Sequence, residues 1–200
     1  MKSTAILVCI ALLTLVASTS AQAPQGPPKP APELERLNFY AGNWSNEGDM
    51  KPGPMGPGGK FTGKDHNEWM AGKFFLLSHS TFGGAMGSGS GVSFMGYKPD
   101  DKVYTYDAYN SMGEAEHSTG TVSGDTWTWL GEQKMGGQLI KGRFTIKELS
   151  PTSYSFKYEV EPEGASQWAL VMDGKATKAA GEQAGKEKHE GKKEGKEDKD

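Results

Sequence analysis

Four histidines, a single cysteine and a few close carboxylates are the side chains through which this 200-residue chain could do chemistry. Metal ligation needs two or three His, Cys or carboxylate groups converging on one point. Asp65-His66 and Glu116-His117 are neighbours in sequence, so on a strand each pair points to opposite faces. His66 and His79 fall on consecutive expected strands and can pair across them, while His189 lies in a charged tail. Neither H-x-H nor H-E-x-x-H occurs, so rim or surface histidines and no metal site are expected, with His117 the best local candidate for a ligand. Ser88-Gly89-Ser90-Gly91 lacks the strand-to-helix context of a nucleophile elbow. Glu114 and Glu116 share a strand face, where solvation is the expectation. No catalytic constellation emerges, and the chain reads as a non-enzyme.

The aromatic residues are better organised. Alternation puts Trp127 and Trp129 on one face of their strand, Tyr154, Phe156 and Tyr158 on one face of theirs, and Trp168, Leu170 and Met172 on one face of the last. Tyr104 and Tyr106 point the same way on an earlier strand. Such rows should face inward. They either pack a filled core or line a pocket for a small, mostly apolar molecule, with Trp127, Trp129, Tyr154, Phe156 and Trp168 as its walls.

The elements that must position them are short and regular. Glu33 to Tyr40 reads as a short helix with Pro32 at its entrance. From Trp44 the hydrophobic period falls to two, with strands expected at 43–50, 60–70, 73–82, 90–98, 102–109, 114–123, 125–131, 137–149, 152–161 and 165–173. Ala71-Gly72, Pro99-Asp100-Asp101, Ser111-Met112-Gly113, Gly124-Asp125 and Pro151 punctuate them as turns. About ten strands joined this tightly imply an all-β, antiparallel up-and-down barrel, closed so that no edge is left open. In Ala41-Gly42-Asn43-Trp44, Gly42 lets the chain enter tightly and Trp44 plugs one end. The glycine-rich runs Lys51–Gly59 and Gly83–Gly91 read as rim loops, since neither has the lysine and following helix of a phosphate-binding loop.

The ends of the chain fix the compartment. Met1-Lys2 and the apolar run from Ala5 to Val16, followed by small residues, give a signal peptide over 1–21, too short to span a bilayer. Export to the periplasm or beyond the cell follows. Cys9 lies inside that segment, so the mature chain has no thiol for a disulfide, a metal or a nucleophile. Residues 22–32 form a Pro-rich leader, 33–173 the single folded domain, and 174–200 a Lys/Glu/Gly tail expected to be disordered. A net charge of −3 gives nucleic-acid binding no electrostatic support, and no later stretch is apolar enough for a membrane span.

Glu33 to about Lys178 resembles a family of small bacterial lipocalin-like (calycin-type) domains of unknown function. The likeness is carried by the leading helix into Ala41-Gly42-Asn43-Trp44 and by Gly63-Lys64-Asp65-His66-Asn67-Glu68 running into Gly72-Lys73-Phe74. It continues through Gly96-Tyr97-Lys98-Pro99-Asp100, followed by Val103-Tyr104 and Asp107, and through Gly142-Arg143-Phe144 before a Tyr/Phe strand. The resemblance implies a barrel and carries over no catalytic residues. Barrels of this kind often stack a late-strand arginine on the opening tryptophan. The last expected strand has none, which leaves Arg143 over Trp44 as the cation–π closure. Some such barrels hold haem through one late histidine; the last three strands here contain none, so His117 is the position left for it. The function these features favour is a secreted carrier or sensor of a small apolar molecule, and the alternative is an interaction domain with a filled core.

Overall fold

The computed structural model describes residues 28–53, 56–84, 87–135 and 137–179. The signal sequence expected over 1–21 and the tail beyond residue 179 lie outside the described residues. A 3-10 segment, Pro32–Phe39, precedes ten strands: β1 Gly42–Met50, β2 Gly59–Trp69, β3 Leu76–Gly84, β4 Gly87–Lys98, β5 Val103–Asn110, β6 Ala115–Ser123, β7 Thr126–Met135, β8 Gln138–Ser150, β9 Ser153–Pro162 and β10 Ala169–Lys178. Each strand pairs antiparallel with the next, and β10 pairs with β1, closing the barrel. Closure leaves no unpaired edge.

The turns follow from local chemistry. Ser123 and Thr126 are paired, so Gly124-Asp125 is a two-residue hairpin loop. Gly124 has φ +59 while Asp125 stays at negative φ, the pattern of a type II′ turn, whose first central position favours glycine. The glycine run Gly83–Gly91 is not a rim loop. Gly83-Gly84 ends β3 and Gly87 starts β4, with Gly84 opposite Gly87. Ladder pairing on both flanks overrides the weak strand propensity of glycine.

Register decides which side chains face in. Trp44, Asp65, Ser80, Gly91 and Asn110 are successive cross-strand partners, as are Tyr104, Gly120, Trp129, Phe144, Tyr158 and Met172, and partners share a face. Large inward rings are set against inward glycines. Phe61 lies over Gly48, Phe156 over Gly174, Phe82 over Gly89 and Trp129 over Gly120, each a direct register pair. A Cβ added at Gly120 would sit 2.5 Å from the Trp129 ring, and one at Gly174 would sit 2.6 Å from Phe156. The glycines thus make room for rings that lie flat along the wall.

Several strand bounds move by a few residues, and two changes at the C-terminal end bear on the site. Residues 174–178 belong to β10 rather than to a disordered tail. Their polar composition hides a strand whose inward positions are small, Gly174 and Ala176, and whose backbone is paired on both sides. Residues 165–168 are a connection rather than strand, because Gly164 at φ +82 and the bond from Ala165 N–H to the Pro162 carbonyl turn the chain there.

Candidate ligand-binding lumen

One end of the barrel is solid. The 3-10 segment inserts Leu34 and Leu37, both buried, and Tyr40 follows them. They pack with Leu76, Tyr104, Trp127, Ile146 and Phe156 in one cluster. Trp44 is 2% exposed; its indole N–H donates to the Tyr40 carbonyl at 2.7 Å, and Asn67 Nδ2 donates to the same oxygen at 2.8 Å. Trp127 is fully buried and donates from Nε1 to Glu148 Oε1 at 2.7 Å. Fully burying aromatic side chains of this size contributes on the order of 1.5–3 kcal/mol each, so this floor is the stable half of the barrel.

Above the floor the character changes. The inward rings of Phe61, Phe82, Tyr106, Phe144, Tyr154 and Tyr158 are only half-buried, and inward-facing Glu116 is exposed. Inward side chains that still meet solvent mark this end of the barrel as less tightly filled than the floor. The wall is also polar. Asp65 accepts from Asn46 Nδ2 at 2.9 Å, and Ser78, Ser93 and Ser118 face inward and are buried.

The titratable groups feel one another across this space. Burial raises the Asp65 carboxyl above its ordinary value, partly offset by the Asn46 hydrogen bond. Partial desolvation by the surrounding wall likewise raises Glu116, the Ser118 hydroxyl opposing the shift and Glu114 adding to it. Tyr106 is pushed up to about 12, first by burial and then by the field of Glu116, with Asp65 a smaller contributor and Ser93 opposing. Burial, then Asp65 and Tyr106, lift Tyr154 well above the ordinary phenol range. Tyr158 is raised by burial and then by Glu116. Asp65 sits on β2 and Glu116 on β6, whereas Tyr154 and Tyr158 sit on β9. These interactions therefore run through the lumen rather than along the sheet.

Of the five residues expected to line the pocket, the structure places four inside. Trp127 and Trp129 stack with an interplanar angle of 6° and centroids 6.1 Å apart, and Tyr154 and Phe156 follow one another on the inner face of β9. Trp127 is consumed by the floor; Trp129, Tyr154 and Phe156 form the transition to the hollow. Trp168 is outside. A register shift between Leu170 and Met172 inserts Val171 as a bulge, which leaves Met172 opposite inward Tyr158 and turns Leu170 outward, opposite Glu159. Trp168 packs on the outer wall under Arg143, whose guanidinium carbon lies 4.3 Å from its ring centroid.

Arg143 therefore does not reach Trp44. It pairs with Glu159 on the outer face, at 2.9 Å from NH2 and 3.0 Å from Nε. Lys178 takes the expected closing place instead. Its Nζ lies 4.9 Å over the Trp44 ring and donates to the Phe39 carbonyl at 2.9 Å. Gly42, at φ +107, carries the chain past that lysine side chain into β1. His117 is also on the outer wall, its Nδ1 2.6 Å from Asp107 Oδ1. His66 and His79 are direct partners on the same outer side of β2 and β3. Among the described residues no histidine faces the lumen, so none is placed as an axial haem ligand there. Among the described residues no group of three or more His, Cys, Asp or Glu is placed to hold a metal ion, and no helix is long and apolar enough to cross a membrane.

The profile of a family described as a protein of unknown function, DUF1579, matches residues 29–178. The chain belongs to the DUF1579 family. No functionally curated protein matches it. Among solved structures, Rv2717c from M. tuberculosis is 14% identical, with a TM-score of 0.52 over 76% of this chain and 100% of its own. Two others are more distant. EF1p2_mFAP2b bound to DFHBI is 12% identical with a TM-score of 0.40, over 72% and 98% of the two chains. The S-type phycobiliprotein lyase CPES from Guillardia theta is 10% identical with a TM-score of 0.45, over 72% and 89%. The likeness to Rv2717c shows a shared barrel fold.

The lumenal residues that sequence reasoning missed in this DUF1579 barrel are Asp65 and Glu116. Both sit among polar neighbours, and their inward parity is set by pairing with Trp44 and Ala108. A signal was present in the parity of Tyr106 and Tyr158, because any strand residue an even step from an inward ring faces the same way.

Proposed function

We propose that this protein is an exported, non-catalytic carrier or sensor that holds a small, mostly apolar molecule in the open half of its barrel. The observation that carries the reading is the ring of inward, half-buried aromatic side chains, Phe61, Phe82, Tyr106, Phe144, Tyr154 and Tyr158, above a floor that is fully packed. A barrel of this strand number is wide enough to hold one small ligand. Export rests on the charged start and apolar run of residues 1–21.

The test is direct. The protein is recovered from its native compartment, its N-terminus is sequenced, and native mass spectrometry is run before and after organic extraction. A mature chain starting near residue 22 and saturable binding of Nile red, a neutral apolar dye that brightens when it leaves water, support the proposal. An unprocessed chain removes export. A protein that neither carries an extractable molecule nor binds the dye removes the carrier.

A further inference from the structure

The lumen has an unbalanced charge. Among the described residues the strands turn three carboxylates inward: Asp65 and Glu116 in the open half, and Glu148 at the floor, where it accepts from Trp127 and pairs with Arg36. The one basic side chain that they turn inward is Lys178, which is engaged at the floor with the Phe39 carbonyl and the Trp44 ring. The remaining lysines of the strands, Arg143 and all three described histidines face the outer wall. Asp65 has one hydrogen bond, from Asn46, which leaves acceptor capacity free. Next to Glu116, Ser118 Oγ is buried, faces the hollow between Tyr106 and Gly131, and makes no hydrogen bond of proper geometry. Buried polar atoms in native proteins are seldom left so. The surrounding rings present π-faces, which attract cations.

We infer that the ligand of this lumen is a small organic ammonium ion, its charged end taken by Glu116 with Ser118 beside it, its apolar body lying against Tyr106, Phe144 and Tyr158, and Asp65 adding negative field from the opposite wall. The inference rests on the lumen reading proposed above and adds the sign of the ligand's charge. A neutral apolar guest leaves two partly desolvated carboxylates without a counter-charge, and an anionic guest meets them as like charges. An amine pairs with Glu116, its ammonium supplies the donors that the carboxylate lacks, and the field of Asp65 favours the same sign of charge.

Three probes of matched shape separate the possibilities: phenethylamine, phenethyl alcohol and hydrocinnamate, each competed against Nile red at neutral pH with the full mature protein. The expected result is displacement by the amine at concentrations roughly tenfold or more below those needed for the alcohol, and none by the acid. Glu116→Gln should bring amine and alcohol to near parity, and Asp65→Asn should narrow the gap between them, while Nile red still binds. Glu116→Gln keeps an acceptor beside the Ser118 hydroxyl and decides the matter alone. Nile red binding with no preference for the amine, or with preference for hydrocinnamate, overturns the ammonium assignment and leaves the lumen standing. Failure of the dye and all three probes to bind removes the lumen reading, and the ammonium assignment falls with it.

Discussion

Replacing Asp65 by Asn should make the protein more stable. The side chain keeps its size, and its amide oxygen can still accept from Asn46 Nδ2, which lies 2.9 Å from Oδ2. What disappears is a charge that burial penalises, since the Asp65 carboxyl is raised above its ordinary value of 3.8. For an acid with a raised native pKa, the folded state holds the proton more tightly than the unfolded chain. The penalty is therefore absent below about pH 4, grows as pH rises through the window between the unfolded and native values, and is constant above it. Each unit of rise is worth about 1.4 kcal/mol. Asp65 is half-buried and has one good donor, so a gain on the order of 1 kcal/mol at pH 7 is the appropriate scale. That is roughly 2–4 °C in melting temperature for a domain of this size. Calorimetric melting of wild type and Asp65→Asn at pH 7 and again near pH 3 reads the effect as a double difference. The variant should lead at neutral pH and the lead should vanish in acid. A loss of stability at pH 7, or an equal gain at both pH values, refutes the claim that a desolvated charge faces the lumen.

Trp44→Phe removes the buried indole bond to the Tyr40 carbonyl and the surface on which Lys178 rests; it should cost about 2–3 kcal/mol, a drop of roughly 4–12 °C by thermal melting. Trp168→Ala should leave Nile red binding unchanged, because that ring lies outside under Arg143, whereas Trp129→Ala should weaken dye binding measurably in the same titration. Gly174→Val puts a side chain against the Glu47 carbonyl, and within 2.6 Å of the Phe156 ring; urea denaturation should show a loss of at least about 2 kcal/mol. Ultraviolet titration of phenolate should find Tyr106 protonated until about pH 12. Since that native value is raised, its contribution to stability is held below pH 10 and lost between pH 10 and 12.

The strand count, the short leading helical segment and the inward placement of Trp127, Trp129, Tyr154 and Phe156 were all legible in the sequence, because period-two alternation is a local signal. The failures share a cause. Trp168 alternates correctly with Leu170, yet the bulge at Val171 reverses the face of everything before it relative to Met172. The Arg143–Trp44 pairing failed because a guanidinium on the outer side of β8 cannot cross the wall, and Lys178 was overlooked because its strand had been ended at residue 173. Glu116 was read as solvated and Asp65 was given no place in the lumen, because composition says nothing about which way an isolated carboxylate points. Each of these depends on register between strands far apart in sequence, which only closure of the barrel determines.

The two halves of the barrel differ in packing and in charge, and this contrast is the reason to regard the open half as a candidate binding site. At the floor, Trp44 Nε1, Trp127 Nε1 and Asn67 Nδ2 each have a partner at 2.7–2.8 Å, Tyr40 Oη and Asn67 Oδ1 have none, and the ring packing is dense. Past Trp129 the same wall turns to glycines, serines, half-buried phenols and two acids without a base. A sequence selected for stability alone would fill that space with aliphatic side chains, which the floor shows this fold accepts. Local departures from the packing rule tend to coincide with function. Here the departure is directional, since every uncompensated lumenal charge has the same sign. Asp65→Asn is expected to gain stability and lose part of the amine preference together, and that opposition is the mark of a residue kept for what it binds.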